Sequence, residues 1–200
     1  MREAERASAA GRRRPARERV LAAAARRFYA HEITATGIDT ITADAGVAKM
    51  SLYNNFSSKA DLVLAYLDAR HEEWLTRYRS RLERAEGPGD GALAVFDTYI
   101  ESADSAHEEA FRGCGLLNAA AELPVGDEGR ALVRRHKEEV ERLLAGQVAV
   151  LLPGRADAAR TTSEHLAFLL EGAMVRAGLE GDSGRLRRAR AMAARLLESM

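Results

Sequence analysis

Apolar residues recur along this chain with a helical period almost from end to end. Val20, Leu21, Ala24 and Phe28 predict a helix over residues 16–30. Ile38, Ile41 and Ala45 then stand at i, i+3 and i+7, the apolar face of a short helix covering about 37–45. Gly46 can take a positive φ without a Cβ penalty, so it can stop that helix and reverse the chain, with Val47 as an apolar anchor. Leu52 and Phe56 lie one turn apart in a third helical segment over about 48–55. Helices this short are marginal alone. The three must cover one another, which predicts a helix-turn-helix headpiece whose last helix is suited to the DNA major groove.

A longer helix follows over about 58–85, opening Ser-Lys-Ala-Asp with a hydroxyl cap and an acid in the first turn. At 1.5 Å per residue it measures about 40 Å, enough to join two domains. The Gly/Pro-rich run 86–91 reads as a loop. Helical spacing resumes over 91–107, 116–123, 128–151, 156–177 and 183–199, with Pro124 and Pro153 marking stops. No stretch alternates apolar and polar like a strand. The chain is therefore expected to be all-α, with about nine helices.

Charge changes the picture through its distribution. The formal net charge is zero, yet residues 1–60 carry 11 Lys/Arg against 6 Asp/Glu, and residues 61–200 carry 19 against 24. One end suits phosphates and the remainder does not. Residues 1–15 form a basic arm in which Arg12, Arg13 and Arg14 could follow a phosphate track or enter a minor groove. Cys114 is the single cysteine, which excludes an intrachain disulfide or thiolate metal cluster and fits a cytoplasmic location. The histidines show no metal-ligand spacing, and no apolar run reaches the roughly 18–20 residues a membrane span needs.

The segment 28–62 resembles the N-terminal domain of the tetracycline-repressor (TetR/AcrR-type) family of bacterial transcriptional regulators. The resemblance rests on Phe28, Thr36, Ile38, Ile41, Ala45-Gly46-Val47, Leu52-Tyr53, Phe56, Ser58-Lys59 and Leu62. Beyond it, the run GCGLLNAAAE at 113–122 is similar to the ligand domain of one branch of that family. The resemblance implies a DNA-binding domain over 16–60, with helix 4 continuing to about 85 as connector. It implies a helical ligand-binding and dimerisation domain over 61–200, pairing through the last two helices. Ala167, Gly172, Ala173, Ala193 and Ala194 suit such close helix packing. Three residues depart from the family pattern: Glu32 where a glycine is usual, Gly37 where Ser or Thr caps helix 2, and Asn55 where histidine is common.

Candidate base contacts are Lys49, Met50, Ser51 and Asn54 on the third helix. Lysine can donate to guanine, asparagine can pair with adenine, and methionine can press on a thymine methyl. Candidate phosphate contacts, besides the arginine arm, are Thr36, Thr40 and Asn55. The resemblance adds Tyr53 and Lys59 to that set.

Trp74, Tyr78, Phe96, Tyr99 and Phe111 could line a largely apolar cavity, with Cys114, Asn118, Glu122 and His165 as its polar groups. The resemblance implies that such a cavity takes a small-molecule inducer, and that the protein is a homodimeric repressor released by it from a palindromic operator. No nucleophile, base and orienter form a recognisable set, so neither enzyme activity nor a cofactor is expected. The alternative is a helical adaptor that binds protein partners without specific DNA binding.

Overall fold

The computed structural model describes residues 15–105 and 111–200. These form nine helices: α1 (Ala16–His31), α2 (Ile38–Ala45), α3 (Lys49–Tyr53), α4 (Lys59–Leu82), α5 (Pro88–Asp104), α6 (Gly115–Glu122), α7 (Glu128–Leu151), α8 (Ala156–Glu180) and α9 (Gly184–Glu198). The all-α reading holds, and no strand occurs among the described residues. The described residues divide into two compact units, one of residues 15–69 and 116–132, the other of residues 70–105, 111–115 and 133–200. Helices α4 and α7 each contribute residues to both.

In the first unit, α1 buries Val20, Ala23, Ala24 and Phe28, α2 buries Ile41 and Ala45, and α3 buries Leu52. Gly46 takes φ 62° and ψ 40°, and its N–H donates to Ala43 O at 3.1 Å. The Val47 N–H reaches Thr42 O at 3.1 Å, closing the helix end with a left-handed cap. The Arg19 guanidinium donates to Gly46 O at 3.2 Å, and Arg27 grips Asp44 through two bonds of 2.5 and 2.9 Å. These tie the long helix α1 to the short one. Ser58 Oγ accepts the Asp61 N–H at 3.0 Å while Asp61 accepts the Ser57 N–H at 2.9 Å, so α4 starts at the expected cap.

One connection in this unit is strained. Glu32, just after α1, has φ 69° and ψ 156°. It is the one described non-glycine residue with positive φ. That region is essentially reserved for glycine and costs of order 1–3 kcal/mol with a side chain. Glu32 is also the residue that stands where the family pattern favours glycine, so the departure is a difference in side chain on a glycine-like backbone.

The second unit has one continuous core. Trp74, Leu75 and Tyr78 of α4 meet Phe96, Tyr99 and Ile100 of α5, Val140, Leu144 and Val148 of α7, and Leu166, Leu170 and Met174 of α8. Helix α9 adds Leu186, Ala189, Ala193 and Leu197, and pins itself to α5 by ion pairs Arg190–Asp97 at 2.6 Å and Arg187–Asp104 at 2.5 Å. A Cβ placed on Gly178 of α8 would lie 2.8 Å from the backbone of Gly113, so the two chain segments touch through bare backbone.

Several boundaries differ from the expectation. The run 86–91 is not all loop: α5 begins at Pro88, whose missing N–H is harmless in a first turn, and Asp90 accepts the Glu86 N–H at 3.2 Å. Helix α8 runs past 177 to Glu180 and stops at Gly181, with φ 78°. Helix α3 is only five residues long. The end of the expected helix over 91–107 lies outside the described residues, as do Arg12, Arg13 and Arg14.

Candidate functional site

The surface of α3 follows from which of its residues the headpiece core consumes. Leu52 is fully buried, and Phe56 just beyond it is buried under the Arg17 guanidinium, 5.2 Å above its ring. The opposite side is left to solvent. Met50 is 71% exposed and Tyr53 44%, with Lys49 and Asn54 also exposed and Ser51 half-buried. Lys49 forms an ion pair with Asp39 of α2 at 2.8 Å, and that hydrogen-bonded carboxylate holds its pKa above the ordinary lysine value.

The phosphate candidates divide. Thr40 is exposed in the first turn of α2, Tyr53 is exposed on α3, and Lys59 is half-buried at the first position of α4. Thr36 is a correction to the sequence reading: it is buried, and its hydroxyl donates to Glu32 O at 2.6 Å, so it braces the loop rather than facing outward. The Asn55 amide donates to Ser51 O at 2.7 Å, closing the end of α3.

The candidates for a ligand pocket also divide. Trp74, Tyr78, Phe96, Tyr99, Phe111 and Cys114 come together in the second unit. Asn118 and Glu122 are assigned to the first unit instead, where Asn118 is exposed. The Glu122 carboxylate accepts the N–H groups of Ile33 at 2.9 Å and Thr34 at 2.8 Å, and the Thr34 hydroxyl at 3.0 Å. His165 is exposed on α8 and is not a lining residue.

Four groups that the sequence reading misses complete the polar cluster around Tyr99. Lys137 Nζ donates to Glu171 at 2.7 Å and reaches Tyr99 Oη at 3.5 Å and Cys114 Sγ at 3.7 Å. Tyr99 Oη lies 3.2 Å from His136 Nε2, and His136 Nδ1 lies 2.9 Å from His71 Nδ1. One set of proton positions satisfies the row: Lys137 donates to the phenol, the phenol to His136, and His136 to His71. Burial, followed by the charges of Lys137 and His71, pushes the His136 pKa down to about 3, so the ring is neutral. Burial raises the Tyr99 pKa and keeps the phenol protonated. For Lys137 burial acts downward, but Cys114, Tyr99 and the adjoining Glu171 outweigh it and keep the ammonium charged. A signal for His136 exists in the sequence. It falls between Val133 and Val140 on the stripe that continues to Leu144 and Val148, all buried.

Beside this row, Trp74 stacks on Tyr78 with ring centroids 5.6 Å apart and meets Tyr99 and His136 at 5.3 and 5.4 Å. Its indole N–H is buried and has no acceptor among the described residues. No helix among the described residues is long and apolar enough to cross a membrane.

Comparison with known proteins agrees with this arrangement. Residues 20–66, which include α2 and α3, match the family model described as bacterial regulatory proteins, tetR family. SCO4454, a TetR-family transcriptional regulator from Streptomyces coelicolor, is 30% identical, with 92% of this chain and 93% of that one covered and a TM-score of 0.78. A TetR transcriptional regulator from Chloroflexus aurantiacus J-10-FL is 26% identical over 92% and 94% of the two chains, with a TM-score of 0.76. A curated relative, the uncharacterized HTH-type transcriptional regulator YezE of Bacillus subtilis (strain 168), is 26% identical over 112 residues. The match spans about half of each, 53% of this chain and 54% of the relative.

Proposed function

Because the chain belongs to the TetR family of bacterial regulatory proteins, we propose that it is a sequence-specific DNA-binding transcriptional regulator, a homodimeric repressor released from a palindromic operator by a small molecule. The observation that carries the DNA-binding reading is the outer face of α3. Lys49, Met50, Tyr53 and Asn54 stand in solvent on a helix whose other side is sealed into the headpiece. In this reading Lys49, Met50, Ser51 and Asn54 address base edges. Tyr53, Lys59, Thr40 and the free N–H groups at the start of α2 address phosphates. Binding and release need no chemical step.

The dimer reading is supported by α8 and α9. Phe168, Val175 and Leu179 of α8 are exposed at i, i+7 and i+11, and Met192 and Leu196 are exposed on α9. These residues give one apolar stripe per helix outside a core that is already closed, the kind of surface that a second copy covers. A two-fold pair of headpieces reads two half-sites.

The inducer reading is supported by the Trp74 indole N–H, a buried donor awaiting an acceptor beside the Tyr99–Lys137 row. A compact, largely apolar ligand with one hydrogen-bond acceptor would satisfy that donor. Occupancy shifts the population away from the DNA-competent form.

The test is a footprint and gel shift on the DNA flanking the gene, with excess nonspecific competitor, followed by selection from random duplexes. A protected palindrome supports the proposal. Failure to enrich any motif by selection overturns it in favour of a protein-binding adaptor.

A further inference from the structure

Glu32 holds a backbone shape suited to glycine, and the residues that follow it lead directly into α2. Such a shape persists only where its surroundings over-determine it. Two groups do so here. From one flank the buried Thr36 hydroxyl donates to Glu32 O at 2.6 Å. From the other, Glu122 at the end of α6 accepts three donors from Ile33 and Thr34, across 88–89 residues of sequence.

We propose that Glu122 is a positioning residue for DNA binding: its carboxylate clamps the turn at 32–34 in the conformation that Glu32 disfavours, and so sets where α2 and the α3 that follows it begin. The inference rests on the DNA-binding reading above. An ionised carboxylate suits the task, because two oxygens can accept two successive backbone N–H groups and a hydroxyl together, and charge-assisted bonds are about twice as strong as neutral ones. Ile33 is itself buried, so the clamped backbone is anchored in the headpiece core on its side-chain face. A chain with glycine at 32 has no strain to hold. The clamp and the glutamate are therefore coupled, and each makes sense of the other.

The coupling is measurable as a double-mutant cycle on the full chain, using wild type, Glu122→Gln, Glu32→Gly and the double variant. Glutamine keeps the size of Glu122 but turns one acceptor into a donor. Three quantities are read: affinity for a duplex enriched by the wild-type protein from a random pool, amide exchange at Ile33 and Thr34, and thermal unfolding. Glu122→Gln is expected to weaken DNA binding about tenfold and to speed exchange at both amides about tenfold, the loss of a charge-assisted clamp. Adding Glu32→Gly is expected to bring affinity back to within about twofold of Glu32→Gly alone, a rescue that a general loss of packing does not produce. Thr34→Val, which removes only the hydroxyl bond, serves if Glu122→Gln does not fold, and it should show the same rescue at smaller amplitude. Unchanged affinity and exchange in Glu122→Gln overturn the proposal, as does an equal loss with and without Glu32. If the wild-type protein enriches no duplex, the DNA-binding reading fails, and with it the positioning role. The exchange cycle then still reads whether the clamp holds the turn.

Discussion

The Lys49 ammonium lies 2.8 Å from the Asp39 carboxylate, so the leading base-contact candidate on α3 is already held by an acid on α2. Both side chains are largely exposed, and such a pair contributes little to stability. On the proposed DNA-binding reading its effect falls on recognition, because Lys49 would exchange this partner for DNA and Asp39 would stay behind as a negative charge near phosphate. Asp39→Asn should tighten DNA binding several-fold on all sequences, measured by fluorescence anisotropy across a salt series. Lys49→Ala should relax the preference at one base pair by about 1–3 kcal/mol. A uniform loss on operator and scrambled duplex alike would remove Lys49 from the base readers.

Lys59→Ala should behave differently. Its expected effect is a loss of similar size on every duplex, with the slope of log affinity against log salt reduced by about one. Tyr53→Phe should also weaken all duplexes alike, without that change in slope.

Gly46 sits in the left-handed region at the corner between α2 and α3. Gly46→Ala should destabilise the headpiece by about 1–2 kcal/mol, the penalty for a Cβ in that conformation. Space is not the cause, since the nearest atom to the added methyl is Arg19 Nη1 at 3.9 Å. Chemical denaturation checks the value.

His136 makes stability depend on pH. Its folded pKa of about 3 lies below the unfolded value of about 6.5. The unfolded chain therefore binds the extra proton first as pH falls. Stability attributable to this group is complete above about pH 6.5 and declines toward pH 3, by up to about 1.4 kcal/mol per pH unit. Comparing His136→Gln with wild type by thermal unfolding at pH 7.5 and pH 5 should show a smaller pH dependence in the variant. Identical dependence would assign the acid sensitivity elsewhere.

On α8, Phe168 and Leu179 are 71% and 79% exposed. Replacing both with glutamate should leave the helical circular dichroism intact and convert the protein to a monomer in sedimentation velocity. Operator affinity should drop by about 100-fold, because one headpiece then reads one half-site. A variant that stays dimeric would move the interface off this face.

The headpiece is legible in the sequence because its determinants are local. Ile41, Ala45 and Leu52 announce their burial by spacing, and Gly46 announces a backbone angle that few other residues accept. Tertiary partners are harder to read. Glu122 stands at helical spacing from Cys114, which suggests a shared stripe, yet its donors are Ile33 and Thr34, and no periodicity reports a partner that distant. Thr36 looks like a surface hydroxyl at a helix start until the loop folds back over it. Lys137 is masked by the charged residues around it, since Arg134, Arg135, Glu138 and Glu139 make the segment read as solvated, and only the apolar stripe through Val133 and Val140 betrays that His136 turns inward. Pro88 misleads in the opposite sense, because a proline among glycines signals a loop although it equally suits a first helical turn.

The backbone contact between Gly113 and Gly178 bears on how this sequence can drift. Neither position gains a side chain cheaply: a Cβ on Gly178 would meet the Gly113 backbone at 2.8 Å, while at Gly113 the bar is φ 87° rather than space, since the nearest atom would be Gly178 Cα at 3.5 Å. Ordinary neighbouring pairs trade volume, a larger residue on one side answered by a smaller one opposite. Here there is nothing left to shrink. In a mutational library the pair should behave as a fixed point, a crossing around which other positions change while it cannot.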